Sequence, residues 1–432
     1  MPESVKNIDQ LVEENNRLRA AVAELSILND IAIAISSTQS LEKIVDLIVH
    51  KCVKHLRVEQ GAVMLLNEKD MNKPFHTMIR KQDSVMSSLP YRLDAQLTGW
   101  MLKNKAPLLV NDLTTDDRFK LSPDEKVTIR SLLGVPLMLK GRMTGIINVF
   151  NKHDDSGFTQ NDQRLLSIIA AQSAQIIENA RLYLEEQALQ HIQEEMRVAK
   201  NIQENLLPKE VPVSELYQFA GKSIPAKEVG GDYYDFIPLK DGRIAFCLGD
   251  ISGKGIPASL LMANLQASLR GQAYIGNECK NSVGFANTIL YHSTDPTRYA
   301  TLFYAILNKE DHELIYCNAG HNSPYLFSPG KEPKRLSEGG IVVGIIPEYI
   351  YEEETTELAP DDVFILFSDG VTEAMNFSDQ EFGEERLENS IRKNLHLPAE
   401  EIIKEIFKDV EVFTKGAPQS DDITMVIVKR IK

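Results

Sequence analysis

Hydrophobic positions divide this 432-residue chain into stretches of different period. Ile8, Leu11, Asn15, Leu18, Val22 and Leu25 fall on alternating a and d positions of a heptad, with Glu13, Glu14, Arg17 and Arg19 between them. That spacing predicts a coiled-coil helix over residues 1–25. The lone Asn15 at an a position favours parallel two-stranded pairing, so a parallel homodimer is expected. Residues 26–180 read as helix, strands, then helix. Apolar runs at 62–66, 107–110, 135–139 and 145–150 predict strands, and Lys140-Gly141-Arg142 predicts a hairpin between the last two. Asn161-Asp162 opens a long helical stretch, 164–207, with no Gly or Pro until Pro208. Within it Leu182, Leu189, Ile192, Met196, Ala199 and Leu206 keep a heptad that Glu185 and Gln203 interrupt at core positions. Residues 181–208 are therefore a helical coiled-coil linker with a weakened seam, able to hold two registers that a sensor can bias. Beyond it, residues 209–432 alternate strand-like runs (243–248, 300–307, 314–318, 363–367, 424–428) with helical ones (257–270, 282–291, 398–413). The fold class is α+β, with antiparallel strands dominating.

Three of those strand-like runs carry acidic motifs at their edges. Gly249-Asp250-Ile251-Ser252-Gly253-Lys254-Gly255 follows 244–248, Ser368-Asp369-Gly370 follows 363–367, and Asp421-Asp422 precedes 423–428. Gly230-Gly231-Asp232 is a fourth. An isolated Asp-Gly is usually only a turn signal. Strand ends on adjoining sheets, however, can gather distant carboxylates, and like charges in one small space repel unless a cation compensates them. The donors are hard oxygens, which suit Mg²⁺ or Mn²⁺ better than Zn²⁺. Two such ions can activate a shared water for in-line attack at phosphorus.

With these motifs the chain resembles the SpoIIE-like, RsbU-type branch of the PPM metal-dependent protein phosphatases. The resemblance covers roughly residues 198–432. It rests on Lys227-Glu228-Val229-Gly230-Gly231-Asp232-Tyr233-Tyr234-Asp235, on the stretch 249–258, on Asn318-Ala319-Gly320-His321-Asn322, on Ser368-Asp369-Gly370-Val371-Thr372-Glu373-Ala374 and on Asp421-Asp422-Ile423-Thr424. Ala199-Lys200-Asn201-Ile202-Gln203 followed by Leu206-Leu207-Pro208 is similar to the helix that leads into that domain. The resemblance implies a two-sheet β-sandwich flanked by helices and hydrolysis of phosphoserine or phosphothreonine without a phosphoenzyme. It implies that Asp250 bridges two divalent cations, Mn²⁺ or Mg²⁺. Asp369 completes one site with the first carboxylate of the Asp421-Asp422 pair, and Asp232 holds the second ion with the main-chain carbonyl of Ile251. Asp421 is favoured over Asp422, because members outside this branch follow their ligand aspartate with Asn. Asp235 is expected to support the ligands or cap a helix. The implied partner is a phosphorylated STAS-type anti-sigma-factor antagonist, whose dephosphorylation releases a sigma factor by partner exchange.

Two positions depart from the wider family. Ser252 stands where distant members carry a histidine suited to protonating the leaving oxygen, so a metal-bound water is the expected acid. Lys227 is the basic residue nearest the first motif and the candidate for gripping the substrate phosphate. His321 has no second histidine at ligand spacing and is expected to pack in a hairpin bend.

Residues 26–180 resemble a GAF domain, through Leu97-Thr98-Gly99-Trp100, Val110-Asn111-Asp112, Gly134-Val135-Pro136-Leu137, and Asn151-Lys152 with Phe158 and Asp162. The last set is similar to a signature of cyclic-nucleotide-binding members, with Gln163 replacing the final Glu, and reads as structural. Such a domain implies a small-molecule ligand, which nothing in the sequence identifies, and a sensor acting on the phosphatase through the linker helices.

Composition excludes several classes. A net charge of −15 argues against nucleic acid as the main partner. No apolar stretch reaches bilayer length, and the start lacks the apolar core of a signal peptide, so no membrane association is expected. Cys52, Cys247, Cys279 and Cys317 show no paired spacing, which points to a reducing, cytoplasmic setting. A non-catalytic sensor scaffold and a metal-dependent nuclease or phosphodiesterase are the rival readings. The retained carboxylates oppose the first, and the acidic charge opposes the second.

Overall fold

The computed structural model describes residues 11, 14, 15, 40–66, 75–81, 95–119 except 114 and 117, and 129–432 except 155 and 296. The expected coiled coil at 1–25 lies almost wholly outside the described residues. The chain forms two compact units, Met1–Gln190 and His191–Lys432.

In the first unit, helix α1 (Leu41–Leu56) starts at Ser40, whose hydroxyl accepts from the Lys43 N–H. Strands β1 (Val58–Leu66), β2 (Phe75–Lys81), β3 (Leu108–Val110), β4 (Leu132–Leu139) and β5 (Arg142–Lys152) make an antiparallel sheet in the order β2-β1-β5-β4-β3, with helix α2 (Ala95–Asn104) between β2 and β3 in sequence. The β4–β5 hairpin turns through Lys140 and Gly141, both at positive φ, as a two-residue turn between twisted strands requires. One sheet face packs on α1 and on the first turns of helix α3 (Gln160–Leu206), through Val49, Val53, Val149, Ile169 and Ala170. The signature residues are structural here. Lys152 pairs with Asp162 at 2.6 Å, and Asn151 bonds Glu59 and the Arg130 N–H.

Helix α3 runs unbroken for 47 residues and begins four residues before the predicted stretch. Its buried face ends at Ile177. Leu182, Leu189 and Ile192 are then 51–60% exposed, so these apolar seam positions are uncovered by the described residues of one chain.

The second unit is a four-layer α/β/β/α stack. The first sheet has β7 (Tyr233–Pro238), β8 (Ile244–Ile251), β9 (Ala300–Leu307), β10 (Glu313–Ala319) and β13 (Gly339–Gly340) in the order β13-β10-β9-β8-β7, with β14 (Glu354–Glu357) also on β10. The second has β6 (Tyr217–Ile224), β11 (Tyr325–Phe327), β12 (Lys334–Arg335), β15 (Val363–Phe367) and β16 (Ile423–Arg430) in the order β12-β11-β15-β16-β6. Their inner faces meet in an aromatic layer. Phe303 stacks on Tyr316 at 5.4 Å, and Phe246 meets Phe364 edge-on at 5.5 Å. Helices α4 (Ile256–Ile275) and α5 (Cys279–Ser293) cover the first sheet; the short α6 (Asp369–Thr372), α7 (Gly383–Asn394) and α8 (Ala399–Thr414) lie on the side of the second. All four cysteines are buried and free.

One expectation needs correcting. The segment around His321 is not a hairpin bend. Strand β10 belongs to the first sheet and β11 to the second, so the chain crosses from one layer to the other there. Asn318 holds the crossing, its Oδ1 accepting from the His321 N–H at 2.8 Å and its Nδ2 donating to the His321 carbonyl at 3.0 Å.

Candidate active site

The acidic motifs meet at one end of the two sheets. Asp232 immediately precedes β7, and Asp250 is the penultimate residue of β8, so both belong to the first sheet. Asp369 opens α6 directly after β15, and Asp421-Asp422 lead into β16, so these belong to the second. Asp422 joins the layers. Its Oδ2 accepts from the N–H groups of Gly231 at 2.6 Å and Asp232 at 3.3 Å, and its Oδ1 accepts from the N–H of Ala226 at 2.7 Å. Glycine is required at two places around it. A Cβ on Gly230 would collide with the Asp422 carboxylate, and one on Gly370 with the Asp422 carbonyl. Ser368 completes the clasp. Its hydroxyl donates to the Asp422 carbonyl at 3.1 Å and accepts from the Thr424 N–H at 3.0 Å.

The other carboxylates are not consumed in this way. Asp232 is 4% exposed, and its Oδ2 has no hydrogen-bond partner among the described residues. Burial, then Asp250 and Asp422, hold its carboxyl well above the usual range. The Asp250 carboxyl is pushed up to about 7, by burial first and then by Asp369, Asp421 and Asp422. Asp369 is raised by burial and by Asp421. These groups therefore share one field, although among the described residues no three of them already stand close enough to enclose an ion. A buried orphan oxygen and mutually raised carboxyls are what a hard divalent cation relieves, so the residues present fit one. The Ile251 carbonyl lies beside the first acidic motif: a Cβ on Gly231 would lie 2.9 Å from it.

Asp421 differs from its neighbour. It is partly exposed and pairs with Lys254, whose Nζ lies 2.8 Å from Oδ2 and also meets the Ser420 carbonyl. Lys254, in the sequence one member of a glycine-rich acidic motif, is the lysine that the fold brings to the carboxylates. Lys227 is exposed and, among the described residues, makes no ion pair. Ser252 is engaged elsewhere, its hydroxyl accepting from the Tyr299 N–H at 2.9 Å. Asp235 lies inside β7 and caps no helix. Fully buried, it accepts from Arg270 of α4 at 2.6 Å and from the Tyr233 hydroxyl at 2.7 Å, tying α4 to the strand that Asp232 leads into. His321 Nδ1 sits 2.7 Å from the Thr301 hydroxyl, and burial drops its pKa to about 4, which keeps the ring neutral.

The end of α3 reaches the first motif. The Gln203 side chain donates to the Gly230 carbonyl at 2.7 Å and accepts from the Gly230 N–H at 3.0 Å. Gln266 of α4 donates to the Leu206 carbonyl at 3.1 Å. In the sequence Gln203 is a polar break in a heptad and the end of the entry-helix motif, and neither reading gives it this contact.

Both halves of the chain resemble known proteins. The family described as "Stage II sporulation protein E (SpoIIE)" matches residues 240–431, and the GAF domain family matches residues 38–178. The chain is 31% identical over 254 residues to "Phosphoserine phosphatase RsbU" of Bacillus subtilis, covering 57% of this chain and 75% of that protein. It is 29% identical over 263 residues to "Protein IcfG" of Synechocystis, covering 55% of this chain but 41% of that protein. Among solved structures, the "SiaA-PP2C domain of Pseudomonas aeruginosa" superposes with a TM-score of 0.50 at 21% identity, over 57% of this chain and 99% of that one, which shows the fold. The chain belongs to the RsbU-like, SpoIIE-type family of PP2C serine/threonine protein phosphatases, with a GAF domain ahead of its phosphatase domain.

Proposed function

We propose that this protein hydrolyses phosphoserine or phosphothreonine on a partner protein in bacterial signalling, under control of its GAF domain. The observation that carries the reading is the convergence of Asp232, Asp250, Asp369 and Asp421 from two sheets, with a buried oxygen of Asp232 that has no hydrogen-bond partner among the described residues. Asp250, Asp369 and Asp421 would hold one Mn²⁺ or Mg²⁺, and Asp250, Asp232 and the Ile251 carbonyl a second. When bound, such ions supply an activated water for attack at phosphorus and neutralise the charge that develops there. The protein's own part is to hold the carboxylates. Asp422 positions the Gly231-Asp232 backbone, Ser368 anchors the turn before Asp369, and Arg270 fixes Asp235 behind Asp232. Asp422 has spent both oxygens on backbone N–H groups, which supports Asp421 as the ligand of the pair.

The proposed partner is a phosphorylated STAS-type anti-sigma-factor antagonist, in line with the RsbU likeness. Lys227 is proposed to grip its phosphate, and Lys227→Ala should then raise KM for a phosphoprotein. The domain limits proposed are 1–25, 26–180, 181–208 and 209–432. The exposed seam of α3 supports a parallel homodimer, in which the GAF domain sets the helix pair and Gln203 passes its position to Gly230. The GAF domain is proposed to bind a small molecule. Its buried Asn148 carbonyl oxygen has no partner among the described residues, and a Cβ on Gly134 would lie between that oxygen and the Met101 side chain.

The test is Mn²⁺-dependent turnover of para-nitrophenyl phosphate and a phosphoserine protein, with Asp250→Ala and Asp369→Ala as controls. Turnover that survives both substitutions would sink the assignment. Capture on a metal-stripped variant would identify the phosphorylated partner.

A further inference from the structure

A groove of about 420 Å³ lies beside the acidic cluster, between α8 and the strands β6 and β16. Its floor is apolar: Phe407 and Ile423 are buried, and Ile224 and Met375 stand 37–38% exposed. Its inner end adjoins the reaction centre on two sides. Gly370 lines it and follows Asp369; Ser420 lines it and precedes Asp421. Gln419 fixes that end, donating to the carbonyls of Ile224 at 2.8 Å and Asp421 at 2.7 Å.

Its lining carries three lysines, Lys222, Lys404 and Lys408, against one glutamate, Glu411. Within the lining lysines outnumber carboxylates, although the rest of α8 is acidic. Lys222 lies over the Phe407 ring at 5.0 Å. Lys404 and Lys408 pair with Glu400, Glu401 and Glu405 one turn away on the same exposed helix face. Exposed pairs of that kind contribute little, so these ammonium groups can turn to a better anionic partner.

We infer that this groove seats the segment flanking the phosphorylated residue of the substrate protein, and that it selects an apolar side chain accompanied by acidic ones. The inference rests on the phosphatase reading and extends it to substrate choice. Continuity with Asp369 and Asp421 favours a substrate segment as occupant. The lysines favour an acidic one. The apolar floor supplies an anchor of the kind that carries binding energy.

The probes are two phosphoserine peptides of equal length, one with Asp and Leu flanking the phosphoserine and one with Ser and Gly there. Each is offered to the full-length Mn²⁺-loaded protein and to a Lys222→Glu/Lys408→Glu variant, with para-nitrophenyl phosphate as reference. The wild-type protein should prefer the acidic peptide about tenfold in kcat/KM, and the variant should lose that preference, as added salt should also do. Both positions are exposed, and the peptide ratio is internal to each protein, so partial unfolding cannot mimic the result. Absence of preference in the wild type, or its persistence in the variant, overturns the inference. A shift of sedimentation from dimer to monomer in the variant also overturns it, by assigning the groove to a second copy of the chain. If the wild type turns over para-nitrophenyl phosphate and neither peptide, the groove assignment falls alone. Without any turnover, the phosphatase reading falls and takes the groove assignment with it.

Discussion

Gln203 grips both backbone groups of Gly230, donating to its carbonyl at 2.7 Å and accepting from its N–H at 3.0 Å. A residue held at both its N–H and its carbonyl has little freedom, and this one lies two residues before Asp232. The last turns of a 47-residue helix are thereby fixed to the backbone of the first acidic motif. Gln203→Ala should lower kcat/KM on para-nitrophenyl phosphate about tenfold, because each lost hydrogen bond is worth about 1 kcal/mol and neither group regains an ordered partner. Gln203→Glu keeps only the acceptor and should fall between. Equal activity in all three proteins would show that the contact does not position the site.

Asp421 and Asp422 should fail differently. Asp422→Ala leaves three backbone N–H groups at the sheet junction without their acceptor and should cost about 2–4 kcal/mol in chemical denaturation. Asp421→Ala removes a partly exposed carboxylate and should leave stability nearly unchanged while abolishing Mn²⁺-dependent turnover. Reversed phenotypes would exchange the two roles.

The carboxyl shifts fix the sign of a pH effect. A carboxyl whose folded pKa is raised stabilises the fold while protonated, and that contribution disappears as pH rises through the folded value. For Asp250 that value is about 7, and Asp232 and Asp369 are raised in the same direction. In chelator, Tm should therefore be lower at pH 8 than at pH 5. In Mn²⁺ the difference should vanish or reverse, because the ion binds the deprotonated form. A metal-free Tm that climbs between pH 5 and pH 8 would contradict this electrostatic picture.

Lys254 places a tethered cation against a proposed metal ligand, with Nζ 2.8 Å from Asp421. Gly253 and Gly255 flank it at positive φ with open space around both, so the loop can release it. Lys254→Met should tighten Mn²⁺ binding about threefold by calorimetry, the scale of an exposed ion pair. Unchanged or weaker binding would remove Lys254 as a competitor for the site.

Leu189 and Ile192 are 60% and 54% exposed on the seam of the linker helix. Leu189→Glu should shift sedimentation from dimer to monomer and should free phosphatase turnover from whatever acts on the GAF domain. A dimer with intact regulation would rule out the helix pair as the connection.

Much of this layout can be read in the chain because its central strands are apolar on both faces. Strands β9 and β15 fall on the predicted runs, the helices α4 and α5 extend theirs by one to five residues at each end, and α8 is displaced from its run by one residue. Other elements were hidden for physical reasons. Strand β6 mixes Gln218, Gly221 and Lys222 among its apolar residues, because its outer half meets solvent. Strand β7 is submerged in an acidic motif, and α7 is mostly polar, with only Leu387, Ser390, Ile391 and Asn394 buried. The acidic positions were legible because each sits at a strand end. The division of labour between Asp421 and Asp422 was not, since two identical neighbours differ only in what their side chains face. Gln203 and Lys254 were invisible as contacts because their partners lie 27 and 166 or more residues away.

The Asp422 clasp has a consequence for how the enzyme is made. It joins residues separated by 191 positions, and its strand β16 is the last to be synthesised of those that shape the site. Such distant pairings close late in folding. A nascent chain lacking β16 has the first three acidic motifs but nothing to hold the Gly231-Asp232 backbone, so unfinished chains should be catalytically silent. Activity then reports that the domain has been completed, and no partial product can erase phosphate signals ahead of time.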